Sequence, residues 1–180
     1  RADFVEVEAD VSRGLHSFSI VGLGDKAVEE ARDRLNAAIK NSGFKPPQKG
    51  NHKIILSLAP ADIKKEGSGF DVALALAYLA AVDEIKFDSD KKLFLGELGL
   101  DGTIRPIRGT LIITGRARAA GFTEIFVPRV NAAEASLVDR ITVYPCDHLS
   151  QIVKKICPGK ELPANSSSDL APAEKPEIET

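Results

Sequence analysis

From Phe4 to Val11 apolar side chains recur at every second position, Val5, Val7, Ala9 and Val11, with mostly acidic residues between them. This alternation predicts a strand with one face in water. Ser17 to Val21 reads as its hairpin partner, with Ser12-Arg13-Gly14 as the turn. From Asp25 the period lengthens, and Ala27, Val28, Ala31, Leu35, Ala38 and Ile39 share one helical face opposite a mostly charged one. Gly43 fits a left-handed helix stop, with Phe44 folding back on Ile39 as in a Schellman motif.

His52 to Ala59 predicts a buried strand, and Pro60 to Gly69 a polar, glycine-bearing loop. Asp71 is expected to cap a second helix through Val82, whose apolar residues run nearly all the way round, so it should be central. Leu93 to Leu100 reads as a strand that turns at Asp101-Gly102 and returns as Thr103 to Ile107. A helix from Leu111 to Ala120 stops at Gly121-Phe122, a strand runs from Thr123 to Val127, and a short helix begins near Asn131. Ile141 to Tyr144 is the last strand, and Asp147 the expected cap of a helix ending near Ile156.

At 180 residues and 43% hydrophobic the chain supports one globular domain, over residues 1–157. No Trp or Met and few aromatics leave a core of Ala, Val, Ile and Leu, which suits compact layered α/β packing. The stretch 158–180 is Pro- and Ser-rich and acidic, with Lys160 and Lys175 against Glu161, Asp169, Glu174, Glu177 and Glu179. It lacks apolar periodicity and reads as a linker cut short, and with Arg1 first and no methionine anywhere the expectation is an excised fragment. Charge in the globular part is almost balanced, so it does not call for nucleic acid. No apolar run approaches a membrane span and no leader-like stretch opens the chain, so the expectation is a soluble, cytoplasmic domain with no membrane partner.

Cys146 and Cys157 are too few for a disulfide framework, and His16, His52 and His148 have no metal-ligand spacing, so no metal site is expected. Gly22-Leu23-Gly24 precedes a helix, yet a third glycine would fall at Ala27 and the strand before it is expected to be antiparallel. A structural tight turn is therefore favoured over phosphate binding. No Gly-x-x-x-x-Gly-Lys-Ser/Thr occurs, so no nucleotide cofactor is expected in this chain. Ser68, between glycines and after Lys64 and Lys65, would need a desolvated lysine as base to act as a nucleophile. Glu97 and Asp101 are more simply a loop-binding carboxylate and a turn residue than an acid–base pair. Arg105, Arg108, Arg116 and Arg118, with Lys64 and Lys65, are the basic groups that can converge on one edge as a nucleic-acid contact, although a merely solvated or interdomain basic face is favoured over it.

Three separated motifs occur in order: Ile20-Val21-Gly22-Leu23 with Ala27-Val28-Glu29-Glu30, Leu58 to Asp62 with Lys65 to Asp71, and Gly96-Glu97-Leu98 with Leu100-Asp101-Gly102 and Arg105-Pro106-Ile107. Together they resemble the N-terminal, ChlI-like domain of magnesium-chelatase-like AAA+ proteins of the YifB/ComM type. The resemblance implies an α+β two-layer sandwich, a mixed β-sheet packed by helices, shared with the Lon protease domain, the C-terminal domain of RadA and the second domain of small-subunit ribosomal protein five. It also implies an AAA+ module beyond the linker, which would bind ATP and magnesium. The Lon pattern places its catalytic serine near Gly69 and its lysine near Leu111, so both reacting groups are replaced. Gly24 departs from the family, where a proline is usual.

The resemblance thus implies a non-catalytic accessory domain, not itself an enzyme, of an ATPase whose relatives are linked to natural transformation and recombination as hexameric DNA branch-migration motors. Its partners would be the AAA+ module, neighbouring subunits of the hexamer, and DNA. Two alternatives stand beside it: a Lon-like peptidase using Ser68, and a protein-interaction module without a DNA role.

Overall fold

The computed structural model describes residues 4–60, 65, 67–162 and 169–177, and its order is β1 (Glu6–Arg13), β2 (Ser17–Val21), α1 (Asp25–Asn41), β3 (His52–Ala59), α2 (Asp71–Ala81), β4 (Lys92–Phe94), β5 (Glu97–Leu98), β6 (Ile104–Arg105), α3 (Thr110–Ala119), β7 (Glu124–Pro128), a 3-10 turn (Arg129–Asn131), α4 (Ala132–Ala135), β8 (Thr142–Cys146) and α5 (Leu149–Ile156). This is a mixed α+β fold in which small sheets pack against helices.

The expected β1–β2 hairpin does not form. The first sheet runs β1-β3-β2, with β1 antiparallel and β2 parallel to β3. Ile54, Leu56 and Leu58 make β3 the most apolar of the three, and the centre of the sheet buries them. A parallel β2–β3 pair needs a crossover, which α1 supplies. Ala31, Leu35, Ala38 and Ile39 of α1 are buried as the periodicity requires. The Schellman stop forms, with Gly43 at φ 90°, the Phe44 amide donating to Ile39 O at 3.1 Å and the Gly43 amide to Lys40 O at 3.1 Å. The same geometry ends α3, where the Phe122 amide donates to Ala117 O and that of Gly121 to Arg118 O, each at 3.0 Å.

A second sheet, β4-β7-β8, is parallel and covered on both faces. Along β7, Phe126 joins the main core, while Ile125 and Val127 join a smaller one with Ala117 of α3 and Ala132 and Ala135 of α4. Phe94, Phe126 and Tyr144 stand opposite one another on the three strands and stack with ring centroids 4.8 and 4.9 Å apart. The scarce aromatics are thus spent on joining three short strands.

The run Leu93–Leu100 is broken at Gly96, so β4 and β5 belong to different sheets. A β-carbon on Gly96 would stand 2.6 Å from Ile104 Cγ2. The β5–β6 hairpin exists, but its loop holds three residues, Leu100-Asp101-Gly102. The Gly99 amide donates to Thr103 O at 2.8 Å, and Gly102 takes φ 87°.

Two expected caps are replaced. Phe70 precedes α2, and the Asp71 side chain turns into the core. His148 caps α5 through Nδ1, which accepts from the Ser150 amide at 3.1 Å, while Gln151 accepts from the His148 amide at 3.2 Å. Asp147 instead pairs with Arg129 at 2.9 Å. The described part of the tail is docked: Leu170 is buried, the Ala173 amide donates to Val143 O at 2.8 Å, and Asp169 and Asp139 pair with Lys154 and Lys175. Residues 166–168 lie outside the described residues. Among the described residues no helix is long and apolar enough to cross a membrane.

Candidate functional site

The polar side chains that the sequence singles out meet where the start of α2 abuts the β5–β6 hairpin and α1. Asp71, 1% exposed, receives Arg34 of α1 through both carboxylate oxygens, Nε at 2.7 Å and Nη2 at 3.1 Å, and also accepts from the Leu98 amide at 3.0 Å. Burial pushes the Asp71 carboxyl up from its ordinary range against the opposing pull of Arg34 and Leu98, and the hydrogen bond to Asp71 holds the Arg34 guanidinium up. One residue before Leu98, Glu97 accepts from the Ser68 hydroxyl and lies 3.9 Å from Arg105 across the strand pair. The hairpin tip is tied to α5, with His148 Nε2 2.8 Å from Asp101 O and the Leu149 amide donating to Gly102 O at 2.9 Å. Hydrogen bonds from the Thr103 hydroxyl and amide hold the Asp101 carboxyl below its usual range.

Ser68 is thus engaged by a carboxylate. Lys65 is buried at 6% exposure with Nζ donating to the Pro60 carbonyl, so it does not join an exposed basic face. Lys64 lies outside the described residues. Gly69 accepts from the Gly96 amide at 3.1 Å, and a β-carbon there would meet only Ile107, at 3.7 Å. Leu111, at the head of α3, is 40% exposed and its amide donates to Glu134 at 3.1 Å. Through these hydrogen bonds Ser68, Glu97, Asp71 and Arg34 brace the start of α2 against the β5–β6 hairpin and α1.

The four arginines stand on β6, in the loop before α3 and on α3. Arg105 lies on β6 beside Glu97, and Arg108 is exposed in the loop before α3. Arg116 and Arg118, two residues apart on α3, diverge by roughly 200°: Arg116 borders a groove beside α2, and Arg118 acts on Asp139. Gly22, φ 108°, serves the tight turn, since a β-carbon there would stand 2.9 Å from Leu58 O. The strand before it is parallel to β3, contrary to expectation. Cys146 is buried, its thiol pushed up to about 12 by desolvation. Among the described residues no group of three or more His, Cys, Asp or Glu could hold a metal ion.

Sequence reasoning passes over Arg34, which looks like one more charge on the wet face of α1, and over His148. The one available signal is Asp71 itself, a lone carboxylate at the head of an otherwise apolar helix.

Residues 7–131 match the family described as subunit ChlI of Mg-chelatase. The chain is 42% identical over 151 residues to the uncharacterized protein Rv2897c of Mycobacterium tuberculosis, covering 83% of this chain and 29% of that protein. It is 36% identical over 164 residues to the competence protein ComM of Haemophilus influenzae, covering 91% and 31%. With the YifB protein of Escherichia coli it shares 37% identity over 149 residues, covering 82% and 29%. A more distant similarity, 30% over 160 residues, covers 84% of this chain and 20% of Lon protease 2 of Thermus thermophilus. The chain therefore spans about three tenths of the length of its YifB and ComM relatives.

Proposed function

We infer, from the premise that the chain belongs to the family of the ChlI subunit of Mg-chelatase, that it is a non-catalytic accessory domain of a ComM-like AAA+ ATPase. The reading rests above all on Ser68, the hydroxyl nearest the Lon-like serine position, whose partner is the Glu97 carboxylate while Lys65 is buried on a carbonyl. A serine nucleophile of the Lon kind needs a lysine poised to take its proton, and the Lys65 Nζ is engaged elsewhere, on the Pro60 carbonyl. With no Walker sequence within the chain, ATP and magnesium would be bound by polypeptide outside it.

In this reading the domain holds a partner in place while the motor works. The exposed side chains favour protein over DNA as that partner. Ile112, Val130 and Leu137 are 62%, 76% and 59% exposed around α3, the 3-10 turn and α4, of which α4 touches both others, whereas Arg116 and Arg118 stand on different sides of α3. DNA contact, if made, would fall to Arg105 and Arg108.

The test is casein and peptide cleavage by the wild-type chain and by Ser68→Ala. Neither should show turnover, and wild-type turnover lost in the variant would overturn the reading. Salt-dependent DNA binding weakened by Arg105→Gln and Arg108→Gln would move the assignment toward DNA.

A further inference from the structure

A groove of about 1050 Å³ opens between β1 and β4, floored by α2. Both flanking strands are sheet edges, since among the described residues β1 pairs only with β3 and β4 only with β7. A strand that turns a face toward a cavity contributes alternate residues. Here every residue from Ser89 to Leu95 borders the groove, so it lies along the β4 edge and meets its outward backbone groups, while β1 lines the other side with Glu6, Val7 and Ala9.

The floor is apolar and shallow-sided. Ala73, Ala77, Ala80 and Ala81 of α2, spaced to share one helical side, stay only partly buried, although the remainder of this helix is core. Two unpaired edges beside a half-buried alanine surface offer what an added strand needs: backbone donors and acceptors on both sides, and small side chains below that leave room for larger ones. Phe4, at its mouth, packs on Phe122 with centroids 5.0 Å apart.

We propose that this slot is filled by an extended strand, apolar on its α2 side, supplied by polypeptide of the same protein outside residues 4–177. The strand would pair with the free edges of β1 and β4 and join the two three-stranded sheets. One observation favours a source in the same protein: the YifB and ComM relatives are about three times longer than the stretch matched, so such polypeptide exists in the family. The proposal does not depend on whether the domain contacts DNA or protein.

The test places a thiol reporter on the floor, Ala77→Cys in a Cys157→Ser background, in both the 180-residue chain and the full-length polypeptide. In the short chain maleimide should label Cys at position 77 readily. In the full-length protein labelling should slow at least tenfold, and the edge amides of β1 and β4 should gain hydrogen-exchange protection. Equal labelling in both would overturn the proposal. Slow labelling without protection of the edge amides would mean that another surface, not a strand, covers α2. Protection in the short chain that grows with its concentration would assign the slot to a second copy instead.

Discussion

Replacing Arg34 by Met probes the brace that fixes the site, and the structure sets the size of the effect. Met keeps the length and helix propensity of the position, so α1 should be spared. Asp71, 1% exposed, would lose both guanidinium bonds and keep only the Leu98 amide. Removing one partner of a buried pair costs about 3–5 kcal/mol. Since the Arg34 side chain is 21% exposed, water can reach the vacated position and the lower end, about 3 kcal/mol, is expected. The assay is urea unfolding at pH 7, with a fall in midpoint at unchanged m-value.

The pH dependence gives the sign. Burial already raises the Asp71 carboxyl, and loss of Arg34 raises it further, so the native state of Arg34→Met binds a proton more readily than the unfolded chain. Its stability therefore rises as pH falls toward the unfolded carboxyl range, and the deficit against wild type narrows. Adding Asp71→Asn removes the stranded charge and keeps an acceptor for Leu98, leaving a deficit of about 1 kcal/mol at pH 7. A deficit below about 1 kcal/mol for Arg34→Met alone, or no rescue by the second change, would refute a net stabilising contact between these side chains.

Two further outcomes follow from other contacts. Gly102→Ala places a β-carbon 2.6 Å from His148 Nε2 and 2.7 Å from Ser42 Oγ at φ 87°, and should lower stability by about 2 kcal/mol or more in thermal or urea unfolding. Tyr78 is buried, donates to Lys45 O at 2.9 Å, and desolvation raises its hydroxyl from 10.0 to about 12. The native state then keeps this proton while the unfolded chain loses it, so the stability advantage of wild type over Tyr78→Phe should shrink as pH rises from about 10 to about 12, by an amount on the order of 2 kcal/mol in the unfolding free-energy difference.

Features carried by local chemistry are those legible in the chain alone. The apolar stripe of α1, the Gly43-Phe44 and Gly121-Phe122 stops and the hairpin around Asp101-Gly102 each depend on a few consecutive residues whose backbone preferences point one way. The family is legible for the same reason, since its motifs are short local runs. Side-chain period says that a strand has two faces, but hydrogen-bonded edges carry no side-chain signature. The insertion of β3 between β1 and β2, and the division of Leu93–Leu100 between two sheets, therefore became visible only in three dimensions. The brace was hidden likewise: Arg34 is charged like its neighbours on α1, and only the packing of α1 against α2 brings it to Asp71, 37 residues away. Sequence determined the elements and the kinship of this protein. Tertiary structure decided which edges stay open and which charges are buried together, because both depend on contacts between segments that no local pattern encodes.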